Sequence, residues 1–258
     1  MIPKIIHYCW FGGAPLPEFA HKCIASWRKY FPDYEIKEWN ETNYEVHKIT
    51  YTDEAYRAKK YVLVNDYARI DILYRYGGIY FDLDVEVIKS FDMILTNGDG
   101  FIGLEKPGYV NPGLGMGCRQ GAKMFGKIME HIARIPFVYP VETSQYMVII
   151  NAVAEIFNTC GLKEEDIIQN INGIIVYPVE YFSPKSFTTG KLEITQNTYS
   201  IHHFKGTWLP EKKLQSIKTR WKIISVFGDN RFSYRIVQFI NRGFVASCKA
   251  FWQKLIKK

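Results

Sequence analysis

The chain contains no stretch approaching the roughly 20 apolar residues that span a bilayer, because Lys, Arg, Asp or Glu breaks every apolar run. Any membrane it meets is expected to be a surface it lies on. Its five cysteines, Cys9, Cys23, Cys118, Cys160 and Cys248, are odd in number and scattered. Without a Cys-x-x-Cys pair they exclude the usual zinc and dithiol frameworks and point to a reducing, cytoplasmic compartment. No small-residue cleavage site follows the apolar start, which His7 interrupts, so that start reads as a strand rather than a leader. Internal repeats and low-complexity linkers are missing. So are the paired acids of a hydrolase at a readable spacing.

What is present is enough to enclose a core: 47% of the residues are hydrophobic and 16% aromatic, sufficient for one large domain, or one domain with an appendage. The formal charge of +7 is unevenly spread. Residues 211–258 hold twelve Lys/Arg and two acids, whereas residues 1–210 hold twenty-one bases and twenty-four acids. A mildly acidic body with a basic tail argues against a nucleic-acid surface over the whole protein, and no nucleic-acid partner is expected.

Lys4 to Trp10 reads as a strand that stops at Phe11-Gly12-Gly13, and Pro15 and Pro17 open a helix over Glu18 to Tyr30. Tyr34 to Trp39 alternates like a second strand. From Asn65 to Tyr76, Ala68, Ile72 and Tyr76 form one apolar stripe, with Asn65 placed to cap the start and Gly77 the end. Further strands are expected at residues 101–104, 115–118, 174–177 and 199–204, and helices near 122–134 and 143–160. This alternation favours a mixed α/β sheet.

Immediately after the helix, Gly78 to Phe81 reads as an apolar strand from which Asp82 and Asp84 emerge, and strand alternation would point both to one face. Hard oxygen ligands so placed suit Mg²⁺ or Mn²⁺ bound to phosphates. Asp-x-Asp alone is a weak signal, and Asp66 with Arg69 alone reads as an ordinary helical ion pair at i, i+3. The glycine-rich Asn111 to Gly117 lacks the Lys-Ser/Thr of a P-loop and reads as a sharp turn.

Taken together, Asn65 to Asp84 resembles the sugar-binding region of the DXD glycosyltransferases related to yeast mannosyltransferases and to bacterial capsular and glycolipid sugar transferases, and is distantly similar to the glucosylating clostridial toxins. The shared pattern is Asp-x-x-Arg, a helix, then Tyr-Gly-Gly-hydrophobic-Tyr-x-Asp-x-Asp; Asp66, Arg69, Tyr76, Gly77, Gly78, Ile79, Tyr80, Asp82 and Asp84 match it. Ile2-Pro3-Lys4-Ile5-Ile6-His7 with Trp10 resembles the family's opening strand, and His202-His203-Phe204-Lys205-Gly206-Thr207-Trp208 its closing motif.

The resemblance implies a GT-A-like, single Rossmann-type nucleotide-sugar-binding domain with a mixed central sheet over residues 1–210, followed by basic helices over 211–258. By position, Asp66 and Arg69 would hold the donor sugar's hydroxyls, Tyr80 would line the nucleotide pocket, and Trp10 would stack near the base. Trp208 falls in the closing motif as a further donor contact. Asp82 and Asp84 would serve the metal, with Asp82 also near ribose and sugar. One of the two histidines, His203 first and His202 in reserve, would complete the metal shell, which favours Mn²⁺ over Mg²⁺. Gln145 would face the reacting side of the sugar. His7, on an apolar strand, reads as core.

The activity implied is metal-dependent transfer of a hexose, with retention, from a nucleotide-sugar to a polysaccharide, oligosaccharide or glycolipid acceptor, with UDP preferred by analogy. Two other readings stay open: a metal-dependent phosphohydrolase or nucleotidyltransferase using the same aspartates, and a non-enzymatic anionic-surface binder. In the tail, Phe232, Ile236, Phe239 and Ile240, then Phe251, Trp252, Leu255 and Ile256, recur at helical spacing beside cations. That pattern suits an anionic membrane surface, with the protein peripheral on its inner face; packing against the body or a second subunit is the alternative.

Overall fold

The computed structural model describes residues 1–242, so the expected stripe at Phe251, Trp252, Leu255 and Ile256 lies outside the described residues. The elements begin β1 (Ile5–Cys9), α1 (Glu18–Tyr30), β2 (Glu35–Trp39), α2 (Thr50–Arg57), α3 (Tyr61–Tyr76), β3 (Gly78–Tyr80) and β4 (Val85–Val87). They continue with α4 (Asp92–Leu95), β5 (Gly100–Lys106), β6 (Tyr109–Val110), β7 (Met116–Cys118), α5 (Lys123–Ile132) and α6 (Val148–Thr159). Last come β8 (Gln169–Ile171), β9 (Ile174–Tyr177), α7 (Val179–Phe182), β10 (Ser200–His202), α8 (Glu211–Phe227) and α9 (Arg231–Arg242).

The main sheet runs β2-β1-β3-β7-β5-β9-β8, with β6 on β5. It is mixed: β1 is parallel to β2 and β3, and β5 to β9, whereas β7 runs antiparallel to both β3 and β5. A separate two-stranded sheet pairs β4 with β10, antiparallel. The α/β class and mixed sheet expected from the sequence are therefore present. By contact the chain forms two compact units, residues 1–184 with 194–203, and residues 185–193 with the chain from Phe204 onward.

Within the first unit α3 is the central helix, buried almost without break from Leu63 to Leu73. It begins one turn earlier than expected, at Tyr61, because Leu63 and Val64 extend its buried surface. Asn65 is therefore inside the helix rather than its cap, and its side-chain oxygen accepts from the Tyr80 hydroxyl at 2.7 Å. Gly77 ends α3 at φ +65, as expected.

The Gly77-Gly78 pair and the N-terminal segment prove to be two sides of one packing contact. A Cβ on Gly77 would meet the Pro3 ring at 2.8 Å, and one on Gly78 would meet the Ile5 carbonyl at 2.7 Å and His7 Nε2 at 2.9 Å; both have positive φ. The Trp39 indole N–H donates to His7 Nδ1, so Nε2 carries the proton and donates to the Gly77 carbonyl at 2.8 Å. His7 is thus a satisfied core residue joining β1, β2 and the α3–β3 turn. Burial, opposed by that bond to Gly77, lowers its pKa to about 4.

In the second unit, α8 and α9 pack through Ile217, Ile224 and Val237. Gly228 at φ +78 closes α8, and Asn230 accepts the backbone N–H groups of Phe232 and Ser233 to start α9. The helical character expected beyond Pro210 is observed through Arg242.

Candidate functional site

β3 leaves the main sheet at Tyr80, and the chain crosses to the small sheet through Phe81 to Asp84. Asp82 and Asp84 are therefore not alternating strand residues: they flank a turn in which the Val85 N–H donates to the Asp82 carbonyl at 3.0 Å. The turn brings both carboxylates to one place all the same. It is anchored from α1, where the Trp27 indole donates to the Val85 carbonyl at 2.8 Å, and from β10, where the His203 N–H donates to the Asp84 carbonyl at 2.9 Å.

Above this turn sit the first polar turns of α3. Arg69, only 3% exposed, donates from Nη2 to Asp66 Oδ1 at 2.5 Å and from Nη1 to Asp82 Oδ2 at 3.3 Å, and its guanidinium lies 5.3 Å from the centre of the Tyr80 ring. The Tyr80 hydroxyl donates within reach of both Asn65 and Asp82, at 2.7 and 3.1 Å. The Asp66–Arg69 pair is therefore not a solvated helical pair but a buried one that organises the DXD carboxylate. Removing one partner of such a pair leaves an uncompensated charge, typically worth about 3–5 kcal/mol.

A buried carboxylate, Asp66, and a half-buried one, Asp82, share one guanidinium, and the electrostatics reflect that. Burial raises the Asp66 pKa to about 7 against the pull of Arg69, with Asp82 adding to the rise. Burial also raises Asp82, with Arg69 opposing and Asp84 reinforcing the shift. One oxygen of Asp66, Oδ2, is buried without a hydrogen-bond partner. That is an acceptor suited to a hydroxyl brought by a ligand.

Asp82, Asp84 and His202 each offer a ligand atom, all within 4.8 Å of one another. His202 Nε2 lies 3.1 Å from Asp84 Oδ1. Burial disfavours the imidazolium, but the charge of Asp84 and the bond to it outweigh this, so the His202 pKa is raised. Two carboxylate oxygens and one imidazole nitrogen in one place fit a divalent cation.

Of the two histidines it is His202, expected as the reserve, and not His203, expected first, that lies with the aspartates. β10 pairs His202 with Val85, and alternation turns the two imidazoles to opposite faces. His202 meets the aspartates, and His203 Nε2 pairs with Glu86 Oε2 at 2.8 Å. Gln145 is held in a local cap: its side-chain oxygen accepts from the Glu142 N–H and its amide donates to the Val138 carbonyl. Trp10 ends β1 with its indole N–H on the Ala14 carbonyl, in the glycine turn. Trp208 belongs to the second unit, in the turn preceding α8.

Residues 17–100 match the family model described as a glycosyltransferase sugar-binding region containing a DXD motif. Asp66, Arg69, Tyr80, Asp82 and Asp84 all lie within the matched span. Two curated relatives come from Schizosaccharomyces pombe. Inositol phosphoceramide mannosyltransferase 3 is 29% identical over 146 residues, 54% of this chain and 39% of the relative. Inositol phosphoceramide mannosyltransferase 1 is 30% identical over 122 residues, 43% of this chain and 37% of the relative. The matches thus span less than half the length of these relatives. Among solved structures, the PaToxG glycosyltransferase superposes with a TM-score of 0.47 at 17% identity, covering 61% of this chain and 69% of that one.

Around the DXD region the structure brings in residues that the sequence reading had placed as a helix cap and a sharp turn rather than in the site. Asn65 holds Tyr80. Asn111 accepts the Gly113 N–H and donates to Glu105 Oε2 at 2.5 Å, and Gly113 itself rests against Asp82. A Cβ on Gly113 would lie 2.6 Å from Asp82 Oδ2. The glycine-rich turn thus forms a wall of the carboxylate cluster, and the signal available for it was the Asn-Pro-Gly triplet. Asp71, fully buried two residues beyond Arg69, is instead held by Lys48, Arg75 and Tyr44 and serves the helix rather than the site.

Proposed function

We propose that this protein is a metal-dependent glycosyltransferase that moves a hexose from a nucleotide-sugar to a glycan or lipid-linked acceptor. The observation that carries this reading is Asp82, whose carboxylate joins the buried Asp66–Arg69–Tyr80 network to the Asp82–Asp84–His202 donor set. One network is built to orient a polyol, the other to hold a cation, and they share a side chain. The two yeast relatives, named as inositol phosphoceramide mannosyltransferases, support a hexosyl donor, with mannose among the first to try, and a lipid-linked acceptor.

In this reading Asp82, Asp84 and His202 would hold Mn²⁺ or Mg²⁺, which when bound neutralises charge on the departing nucleoside diphosphate. Asp66 Oδ2 accepts a hydrogen bond from a donor-sugar hydroxyl. Arg69 fixes Asp66 and Asp82 at the spacing that sugar and cation both require, and Tyr80 locks Asp82 from the opposite side. With the carboxylates already held, little ordering remains for the moment of reaction, which is how pre-organised polar groups lower a barrier. The route we propose is attack by the acceptor hydroxyl on the same face as the leaving group.

The test is incubation with a panel of UDP- and GDP-activated hexoses and Mn²⁺, with product analysis. Release of nucleoside diphosphate supports transfer chemistry. Release of sugar-1-phosphate or inorganic phosphate would overturn it in favour of a phosphohydrolase or nucleotidyltransferase.

A further inference from the structure

The second unit presents a surface that the transfer chemistry does not use. Helix α9 repeats a three-residue pattern, Arg231-Phe232-Ser233 and Arg235-Ile236-Val237, one turn apart. Each residue of a helix is turned about 100° from the last, so the pattern divides α9 into three faces. Ser233 and Val237 are buried and form the face packed on α8. Phe232, 60% exposed, starts a second, apolar face that continues through Ile236 and Phe239 to Ile240, which is 52% exposed. Arg231 and Arg235 form a third face along its flank, on the side away from α8.

The apolar face does not end with the helix. Val226 and Phe227, at the close of α8, are 72% and 52% exposed, and the Phe227 and Phe232 rings meet edge to face at 5.9 Å. Large apolar side chains at the surface of a basic segment need an environment that accepts both. Here the charge is decisive: from residue 211 onward the chain carries twelve Lys/Arg against Glu211 and Asp229.

We propose that α9, with the end of α8, is a docking surface for an anionic lipid bilayer. The apolar stripe enters the acyl boundary while Arg231 and Arg235 lie at the depth of the lipid phosphates. An amphipathic helix with cations along its polar flank binds in the interface plane in this way. The same cations oppose pairing of two copies through this face, since like charges would be brought together. Nucleic acid would meet the cations but leave Val226, Ile236 and Ile240 without an apolar partner. The inference stands independently of the transferase reading, because it uses none of the site residues.

The experiment is co-sedimentation of the full chain with phosphatidylcholine vesicles and with vesicles containing phosphatidylglycerol. It compares wild type, Phe227→Ser/Phe232→Ser/Ile240→Ser, and Arg231→Gln/Arg235→Gln, with light scattering on each protein. Wild type should bind the anionic vesicles at least tenfold more tightly than the neutral ones. The serine variant should lose at least tenfold on anionic vesicles. The glutamine variant, whose changes are confined to exposed side chains, should keep its unfolding midpoint and lose most of the preference for anionic lipid. Equal binding by all three proteins, or no binding by wild type, would overturn the proposal. A wild-type dimer that becomes a monomer in the serine variant, without vesicle binding, would assign the stripe to a second copy instead. Donor hydrolysis in solution should be unchanged in both variants, so failure here and failure of the transferase reading are told apart.

Discussion

Gly113→Ala is a one-methyl test of whether the turn after β6 shapes the carboxylate cluster. The added Cβ would sit 2.6 Å from Asp82 Oδ2, where ordinary contact begins at about 3.4 Å, so the carboxylate must give way by about 0.8 Å. It cannot move without cost, because Oδ2 also takes the bond from Arg69 Nη1, and that nitrogen lies 3.4 Å from the same Cβ. A misplacement approaching 1 Å in a positioned group costs about a hundredfold in rate. Loss of one charge-assisted hydrogen bond costs about 1–3 kcal/mol in stability. Gly113 is not in the left-handed region, so alanine brings no backbone penalty. The expected result is a fall of roughly a hundredfold in kcat/KM for metal-dependent donor hydrolysis, with a folded protein whose unfolding midpoint drops by several degrees. Activity within twofold of wild type would refute the argument that Gly113 leaves space for Asp82.

Replacing Arg69 by Met should destabilise the first unit by about 3–5 kcal/mol in denaturant unfolding, because the buried Asp66 carboxylate and the half-buried Asp82 lose the guanidinium they share; a change below about 1 kcal/mol would mean the pair is solvated. His202→Ala should weaken Mn²⁺ binding at least tenfold in calorimetry, while His203→Ala changes it less than twofold; the reverse order would restore His203 as the ligand. His7 has a folded pKa of about 4 against 6.5 for a free imidazole, so the unfolded chain binds the extra proton first. Its contribution is complete above pH 6.5 and is lost as pH falls towards 4, at up to about 1.4 kcal/mol per pH unit. Its imidazole resonances should show the neutral, Nε2-protonated form at pH 5.5, and titration near 6.5 would contradict this.

Much of the first unit was legible in the sequence because its signals are local. The strand at 5–9, the helix at 18–30 and the Gly77 stop follow from apolar spacing and a residue free to take positive φ. The DXD constellation was legible as a pattern, but the reason for its glycines was not: Gly77 and Gly78 are small because Pro3 and His7, 70 or more residues away, press on them. Helix α2 escaped notice because its eight residues carry only Tyr51, Thr52 and Ala55 to the interior, too short a run to show a period. The candidate third metal ligand was narrowed to two adjacent histidines, and which of them lies beside the aspartates follows from the β10–β4 register, which the sequence does not encode. Glu105, Asn111 and Gly113 are brought to the site by sheet order alone, which no spacing along the chain encodes.

Asp82, Asp84 and His202 are proposed as the cation site on which donor chemistry depends. The most direct measurement is nucleoside diphosphate release from the best donor of the panel, with Mn²⁺ or with excess chelator, by wild type and by Asp84→Ala. The account predicts activity in wild type that chelator abolishes, and a fall of at least a hundredfold in Asp84→Ala with its unfolding midpoint retained, on the order expected for removing a positioned transition-state contact. Metal-dependent release that is undiminished in the variant would contradict it.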